Sequence, residues 1–153
     1  MRLDDENDAL VCDYCGSVHY PDPNDEGVRI LEPVEFDCPV CAKKLSLAVV
    51  GGQRVFYCQD CRGMLAAMET FLPLIGKLRA DRGSFAIDAL AYNPRDLERK
   101  LLCPKCRGQM DTHLYGGPGN VVIDSCEKCE WNWLDRGELA RIVACPDHAY
   151  GAA

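Results

Sequence analysis

Ten of the 11 cysteines in this 153-residue chain fall into five Cys-x-x-Cys pairs: Cys12/Cys15, Cys38/Cys41, Cys58/Cys61, Cys103/Cys106 and Cys126/Cys129. The eleventh opens Cys145-Pro146-Asp147-His148, the same spacing with histidine in the last place. Two thiolates three positions apart on a tight turn reach one cation at about 2.3 Å and leave two tetrahedral positions for a second such turn. Six half-sites therefore make three whole sites and use every cysteine. The other use of cysteine, the disulfide, needs an oxidising compartment. The first eight residues are acidic where an export leader would be basic and then apolar. No stretch approaches the roughly 20 apolar residues of a membrane helix, since the best run, 64–78, is broken by Glu69, Pro73 and Lys77. The expectation is a cytoplasmic chain whose thiols stay reduced and hold metal.

An internal repeat decides which half-sites belong together. Cys38-Pro39-Val40-Cys41-Ala42-Lys43-Lys44-Leu45 aligns with Cys103-Pro104-Lys105-Cys106-Arg107-Gly108-Gln109-Met110. Each is followed by a short strand-like stretch, a glycine pair (Gly51-Gly52 or Gly116-Gly117), a second apolar strand (54–57 or 121–124) and a second cysteine pair. Glycine supplies the positive φ angles that a tight hairpin turn requires. Each copy thus reads as knuckle, strand, turn, strand, knuckle, which is a zinc ribbon. The predicted four-thiolate sites are Cys38, Cys41, Cys58, Cys61 and Cys103, Cys106, Cys126, Cys129.

After each second knuckle the apolar period becomes helical. Met64, Leu65, Met68, Phe71, Leu72, Ile75 and Leu78 predict a helix over 63–81, with Pro73 as a point of bending. In the second copy Asp135 stands as an N-cap with Glu138 three residues on, a capping box, ahead of Leu139, Ile142 and Val143. Asn93-Pro94-Arg95-Asp96 predicts a short helix running to Leu102, and 84–92 reads as linker. The expected fold is a small α+β, metal-stabilised protein with tandem zinc ribbons, each followed by an α-helix. The expected organisation is an N-terminal knuckle segment (1–37), ribbon 1 with its helix (38–83), a linker (84–101), ribbon 2 with its helix (102–144) and a C-terminal knuckle and tail (145–153).

The run Cys-Pro-x-Cys-x-Gly, hairpin, Cys-x-x-Cys-x-x-x-Trp-Leu-Asp-x-Gly-Glu-Leu over 103–139 resembles the transcription factor IIB-type zinc finger of small bacterial proteins. Cys103, Cys106, Cys126 and Cys129 match its zinc ligands, and Trp133, Leu134, Asp135, Gly137, Glu138 and Leu139 match the segment that follows. Residues 38–71 look like a second, degenerate copy that keeps the four cysteines and Gly63 but lacks the Trp-Leu-Asp-x-Gly-Glu-Leu segment. Trp131 departs from the family, which usually has glycine there. The resemblance implies zinc binding and a ribbon fold, and it implies little about a substrate, because ribbons serve many roles. A second likeness competes. Cys12-Asp13-Tyr14-Cys15-Gly16, followed by Cys38-Pro39-Val40-Cys41, resembles rubredoxin, which implies one redox-active iron on Cys12, Cys15, Cys38 and Cys41 and an electron-transfer function.

Under the repeat pairing, Cys12 and Cys15 are left with Cys145 and His148 as a third zinc site, with His19 the rival fourth ligand. His113 reads as a surface residue of a hairpin strand. Three closed sites leave no open metal position for catalysis, and with three histidines no nucleophile–base set stands out. Thiol–disulfide exchange would need a βαβ context that is not visible. The formal charge is −7, and the thiolates around three zinc ions would take it to roughly −12. A chain so acidic has no general attraction for duplex phosphate. Locally, Arg95, Arg99, Lys100, Lys105, Arg107 and Lys128 form either a basic patch for nucleic acid or a solvated face interspersed with Asp96 and Glu98. Trp133 is expected in the core. Trp131 is either an interface anchor or packed on the neighbouring ribbon or helix. The expected function is a protein-interaction or assembly module, possible in transcription through the family's name alone, with the iron and nucleic-acid readings as alternatives.

Overall fold

The computed structural model describes residues 1–82, 94–115 and 121–144. A small three-stranded antiparallel sheet comes first, with β1 (Arg2–Asp4), β2 (Ala9–Val11) and β3 (Val18–His19) in that spatial order. The rest builds one seven-stranded sheet. Its strands are β4 (Arg29–Asp37), β5 (Lys44–Val50), β6 (Gln53–Tyr57), β7 (Met64–Ala67), β8 (Asp111–Leu114), β9 (Val122–Cys126) and β10 (Trp131–Leu134), in the order β4-β5-β6-β7-β10-β9-β8. Helix α1 (Met68–Arg82) follows β7, a 3₁₀ helix spans Pro94–Glu98, and α2 (Glu138–Ala144) follows β10.

The two copies are each three-stranded, and they join edge to edge through their third strands. In the β7–β10 ladder, Met64 pairs with Leu134, Leu65 with Trp133, Ala66 with Asn132 and Ala67 with Trp131. Cys58 and Cys126 are 68 residues apart, and so are Leu65 and Trp133, so these paired residues are also equivalent positions of the repeat. A local two-fold axis therefore passes between them. The first hairpin turns at Gly51 (φ 56°) and Gly52 (φ 76°), the type of turn that matches strand twist. Gly116 and Gly117 lie outside the described residues.

The predicted helix over 63–81 is corrected at its start. Residues 64–67 are strand, and the helix begins at Met68. Met64 and Ala66 face one side of the sheet while Leu65 faces the other, and all three are buried. A run that is apolar on both faces loses the two-residue alternation and looks the same as a helix segment. Within α1, Phe71, Leu74 and Ile75 are buried, whereas Leu72, expected on the same face, is exposed. The predicted linker helix starts at Pro94 as expected but ends at Glu98 as a 3₁₀ turn, and 84–92 lies outside the described residues.

Two cores result. One face of the large sheet (Ala48, Val50, Val55, Tyr57, Val121, Ile123) packs under α1 and α2 through Phe71, Leu74, Ile75, Leu139 and Ile142. The opposite face holds Leu45, Leu65, Leu101, Met110 and Trp133 together with the cysteines. The N-terminal sheet leans on the β4 end, where Leu3 packs near Leu31, Leu47 and Val49 and where Arg54 bonds Asp8 at 2.6 Å and Asp5 at 3.2 Å.

Candidate metal centre

The ribbon knuckles at Cys38, Cys58 and Cys103 are tight turns with a shared backbone signature. The first cysteine's N–H donates to the carbonyl five residues on: Cys38 to Lys43 at 2.7 Å, Cys58 to Gly63 at 2.9 Å and Cys103 to Gly108 at 2.8 Å. The residue after the second cysteine donates back to the first cysteine's carbonyl, as Ala42, Arg62 and Arg107 do. That residue is left-handed in every case, with φ of 61° at Ala42, 62° at Arg62, 63° at Arg107 and 59° at Glu130. This strain is uncommon for residues with a Cβ and persists only where the surroundings fix it. The turn leaves the N–H groups inside it pointing at sulfur. Val40 and Cys41 donate to Cys38 Sγ at 3.4 and 3.3 Å, and Gly108 donates to Cys106 Sγ at 3.4 Å.

The strands then bring pairs of knuckles together. Cys38, Cys41, Cys58 and Cys61 form one group and Cys103, Cys106, Cys126 and Cys129 a second, with all Sγ atoms of a group within 4.8 Å of one another. Cys38 and Cys61 Sγ are 3.7 Å apart, as are those of Cys106 and Cys126. A tetrahedron with metal–sulfur bonds of about 2.3 Å has edges of about 3.8 Å, so each donor set fits one Zn²⁺ ion, which would hold its four cysteines as thiolates. In both groups the first cysteine of each knuckle is buried and the second is half-buried. Burial pushes the Cys38 thiol up to about 11 and raises Cys103 as well. Such thiols release their protons only against a strong local positive charge, which a divalent ion supplies. None of the ten described cysteines is in a disulfide.

The predicted eight-cysteine set is thus brought together in the repeat pairing. The rubredoxin pairing is not formed, because Cys38 and Cys41 meet Cys58 and Cys61. Cys12 and Cys15 stand apart. Neither His19 nor any other described residue completes a group of three ligands with them, and Cys145 and His148 lie outside the described residues. His113, expected at the surface, is half-buried on β8, with Nε2 2.9 Å from Ser125 Oγ, and Ser125 bonds Asn132 at 2.7 Å.

Sequence reasoning missed a charged cluster beside the second centre. Asp124 is fully buried on β9 and is met by the Arg99 guanidinium and by the Thr112 hydroxyl at 2.5 Å. Arg99 also reaches Asp135 at 2.6 Å, so one side chain ties the segment ahead of the second ribbon to both that ribbon and the start of its helix. Asp135 accepts from Trp133 Nε1 at 3.2 Å, and its own N–H donates to Glu138 at 2.7 Å, the half of the capping box that forms. Burial beside Asp135 pushes Glu138 up to about 8. Trp133 is fully buried, as expected, and Trp131 resolves to the packing alternative, its ring lying 5.2 Å from that of Phe56 across the seam. The basic stretch is partly consumed, since Arg99 is locked in place and Arg107 lies 3.5 Å from Asp37.

Paired knuckles on hairpins, two buried and two half-buried cysteines per centre and a helix after the last strand define a zinc-binding ribbon protein. More narrowly, residues 102–144 match the family described as Transcription factor zinc-finger, the transcription factor IIB-type zinc ribbon, and residues 38–67 repeat its cysteine framework. No curated protein and no solved structure matches the chain.

Proposed function

We propose that this chain is a non-catalytic, zinc-stabilised module that works by binding another protein, in the cytoplasm and in transcription-related assembly. One observation carries the reading: all eight ribbon cysteines belong to a single hydrophobic cluster with Leu65 and Trp133. Four-sulfur sites embedded in a core have no open position for water or substrate and act as structure. Function then resides on the surface, where Tyr14, Val18, Tyr20, Leu72 and Leu102 are exposed. The transcription role rests on the family's description alone. No described helix is long and apolar enough to cross a membrane.

The proposal includes three zinc ions per chain, the third on Cys12, Cys15, Cys145 and His148. Its support is the N-terminal knuckle, which repeats the backbone of the ribbon knuckles. Nucleic-acid binding is the weaker reading, because the net charge is −7 and Arg99 is held by two carboxylates.

Elemental analysis with native mass spectrometry is expected to give three zinc ions in a colourless protein, and two in His148→Ala. A red protein with ferric thiolate absorption would overturn the zinc assignment. Reciprocal capture from native cells is expected to yield a complex of fixed stoichiometry, absent after zinc removal. A chain that captures no protein, and that binds duplex DNA with steep salt dependence, would overturn the interaction reading.

A further inference from the structure

The two ribbons differ in what spans the mouth of their metal centres. At the leading knuckles, equivalent residues are 65 positions apart, as Cys38 and Cys103 are, and Lys43 O and Gly108 O accept the matching backbone bonds. At the second knuckles the separation is 68, as between Cys58 and Cys126. In ribbon 1 two side-chain bridges reach from the second knuckle to the leading one and its strand. Lys43 Nζ lies 3.4 Å from Asp60 Oδ2, and Gln59 Nε2 donates to Ser46 Oγ at 3.3 Å. The equivalent pairs in ribbon 2 are Gly108 with Lys128 and Asp111 with Glu127. Glycine has no side chain to meet Lys128, and two carboxylates repel each other, so neither bridge forms among the described residues. In their place a cavity of about 360 Å³ opens, lined among others by these four residues and by Cys106 and Cys126. All of its lining residues are described. The two sulfurs at this opening come from opposite knuckles and lie 3.7 Å apart. The cavity of about 350 Å³ beside the first centre is lined by Cys38 alone of that centre's four cysteines.

We infer that Cys106 and Cys126 are an oxidisable pair, through which hydrogen peroxide opens the second centre while the first stays closed. A four-sulfur centre holds both as thiolates, the form that attacks peroxide. Peroxide is small and uncharged, so Asp111 and Glu127 at the mouth do not repel it, whereas they oppose anionic reagents such as glutathione. Cys106, the less buried of the two, attacks one peroxide oxygen through Sγ: an S–O bond forms, the O–O bond breaks, and hydroxide leaves. Cys126 Sγ then attacks the Cys106 sulfur. An S–S bond forms, the S–O bond breaks, and a second hydroxide leaves. Two electrons pass from the sulfurs to peroxide, and the hydroxides take their protons from solvent. Cys103 and Cys129 remain as two thiolates, too few for a closed tetrahedral centre. This chemistry goes beyond the partner-binding reading and needs neither that reading nor a third ion.

The test treats the full zinc-loaded chain with hydrogen peroxide, samples it at intervals into iodoacetamide, and reads each cysteine by peptide mass spectrometry. A Cys106–Cys126 disulfide is expected first, with Cys103 and Cys129 becoming open to alkylation in step with it. Cys38, Cys41, Cys58 and Cys61 are expected to react at least about fivefold more slowly. Each cysteine is followed separately, so reaction at Cys12 and Cys15 does not enter the comparison. Exchanging the bridge residues tests the cause. Gly108→Lys/Lys128→Asp rebuilds the Lys43–Asp60 bridge in ribbon 2 and is expected to slow second-centre oxidation at least about threefold. A Cβ on Gly108 would meet Cys106 Sγ at 3.4 Å, an ordinary contact. Lys43→Gly/Asp60→Lys leaves ribbon 2 untouched and is expected to speed oxidation of the first centre. Equal rates at the two centres, or disulfides that begin among the first-centre cysteines, would overturn the assignment. Rates that neither exchange moves would overturn the open mouth as the cause, and the assignment with it.

Discussion

At the scale of single residues, Arg99 is the side chain whose removal is most informative. It neutralises Asp124, which is fully buried, and it also holds Asp135 at the start of α2. Leaving a buried charge without its partner costs about 3–5 kcal/mol. Arg99→Ala is therefore expected to lower stability by that order in denaturant titration, and Asp124→Asn in the same chain to restore a substantial part of it. If the two substitutions simply add, the pair does not interact as described. None of this was legible in the sequence. Arg99 and Asp124 are 25 positions apart, and an arginine among Asp96, Glu98 and Lys100 reads as one more solvated charge. The cysteine ligands were legible, because a two-residue gap on a tight turn carries its geometry with it. The cap at Asp135 and Glu138 was legible too, since capping depends only on residues three apart.

At the scale of elements, the β7–β10 seam controls how the ribbons meet. A Cβ on Gly63 would lie 2.3 Å from Trp133 Cζ2, inside the ring's van der Waals surface. Gly63→Ala is expected to destabilise by about 1–3 kcal/mol through overpacking. That cost should shrink in a Trp133→Leu background, where the ring is gone. An equal cost in both backgrounds, read by thermal melting of the zinc-loaded forms, would show that the clash is not its cause. Hairpins and knuckles could be read in advance because their signals are local: paired glycines, Cys-Pro-x-Cys, alternating apolar residues. The seam could not. Met64-Leu65-Ala66-Ala67 is buried on both faces, and its pairing with a strand 68 positions later is fixed only when both ribbons have formed.

At the scale of the whole molecule, the two zinc centres share one core. Cys38, Cys58, Cys103 and Cys126 are packed with Leu65 and Trp133 in one cluster. Metal binding at one centre therefore orders side chains that the other needs. A structural zinc site contributes on the order of 10–16 kcal/mol of apparent binding energy, most of which appears as folding energy. Cys103→Ser/Cys106→Ser is expected to empty the second centre and to weaken zinc at Cys38, Cys41, Cys58 and Cys61 at least about fivefold, with the reciprocal effect from Cys38→Ser/Cys41→Ser. Unchanged affinity at the intact centre, measured by competition, would show that the ribbons load independently. Complete demetallation is expected to abolish the cooperative melting transition.

The local axis between Leu65 and Trp133 has a consequence for ancestry. Two identical ribbons meeting in this way as separate chains would have to place the same side chain on both sides of their axis, with a tryptophan facing its own copy. They would also set that ring against the counterpart of Trp131, where the first ribbon has Gly63. Covalent duplication removes that requirement: one half could enlarge a residue while the other shrank to admit it. The glycine and the indole are then a matched key and keyhole, and the half that carries the two tryptophans has given up the space to mate with itself.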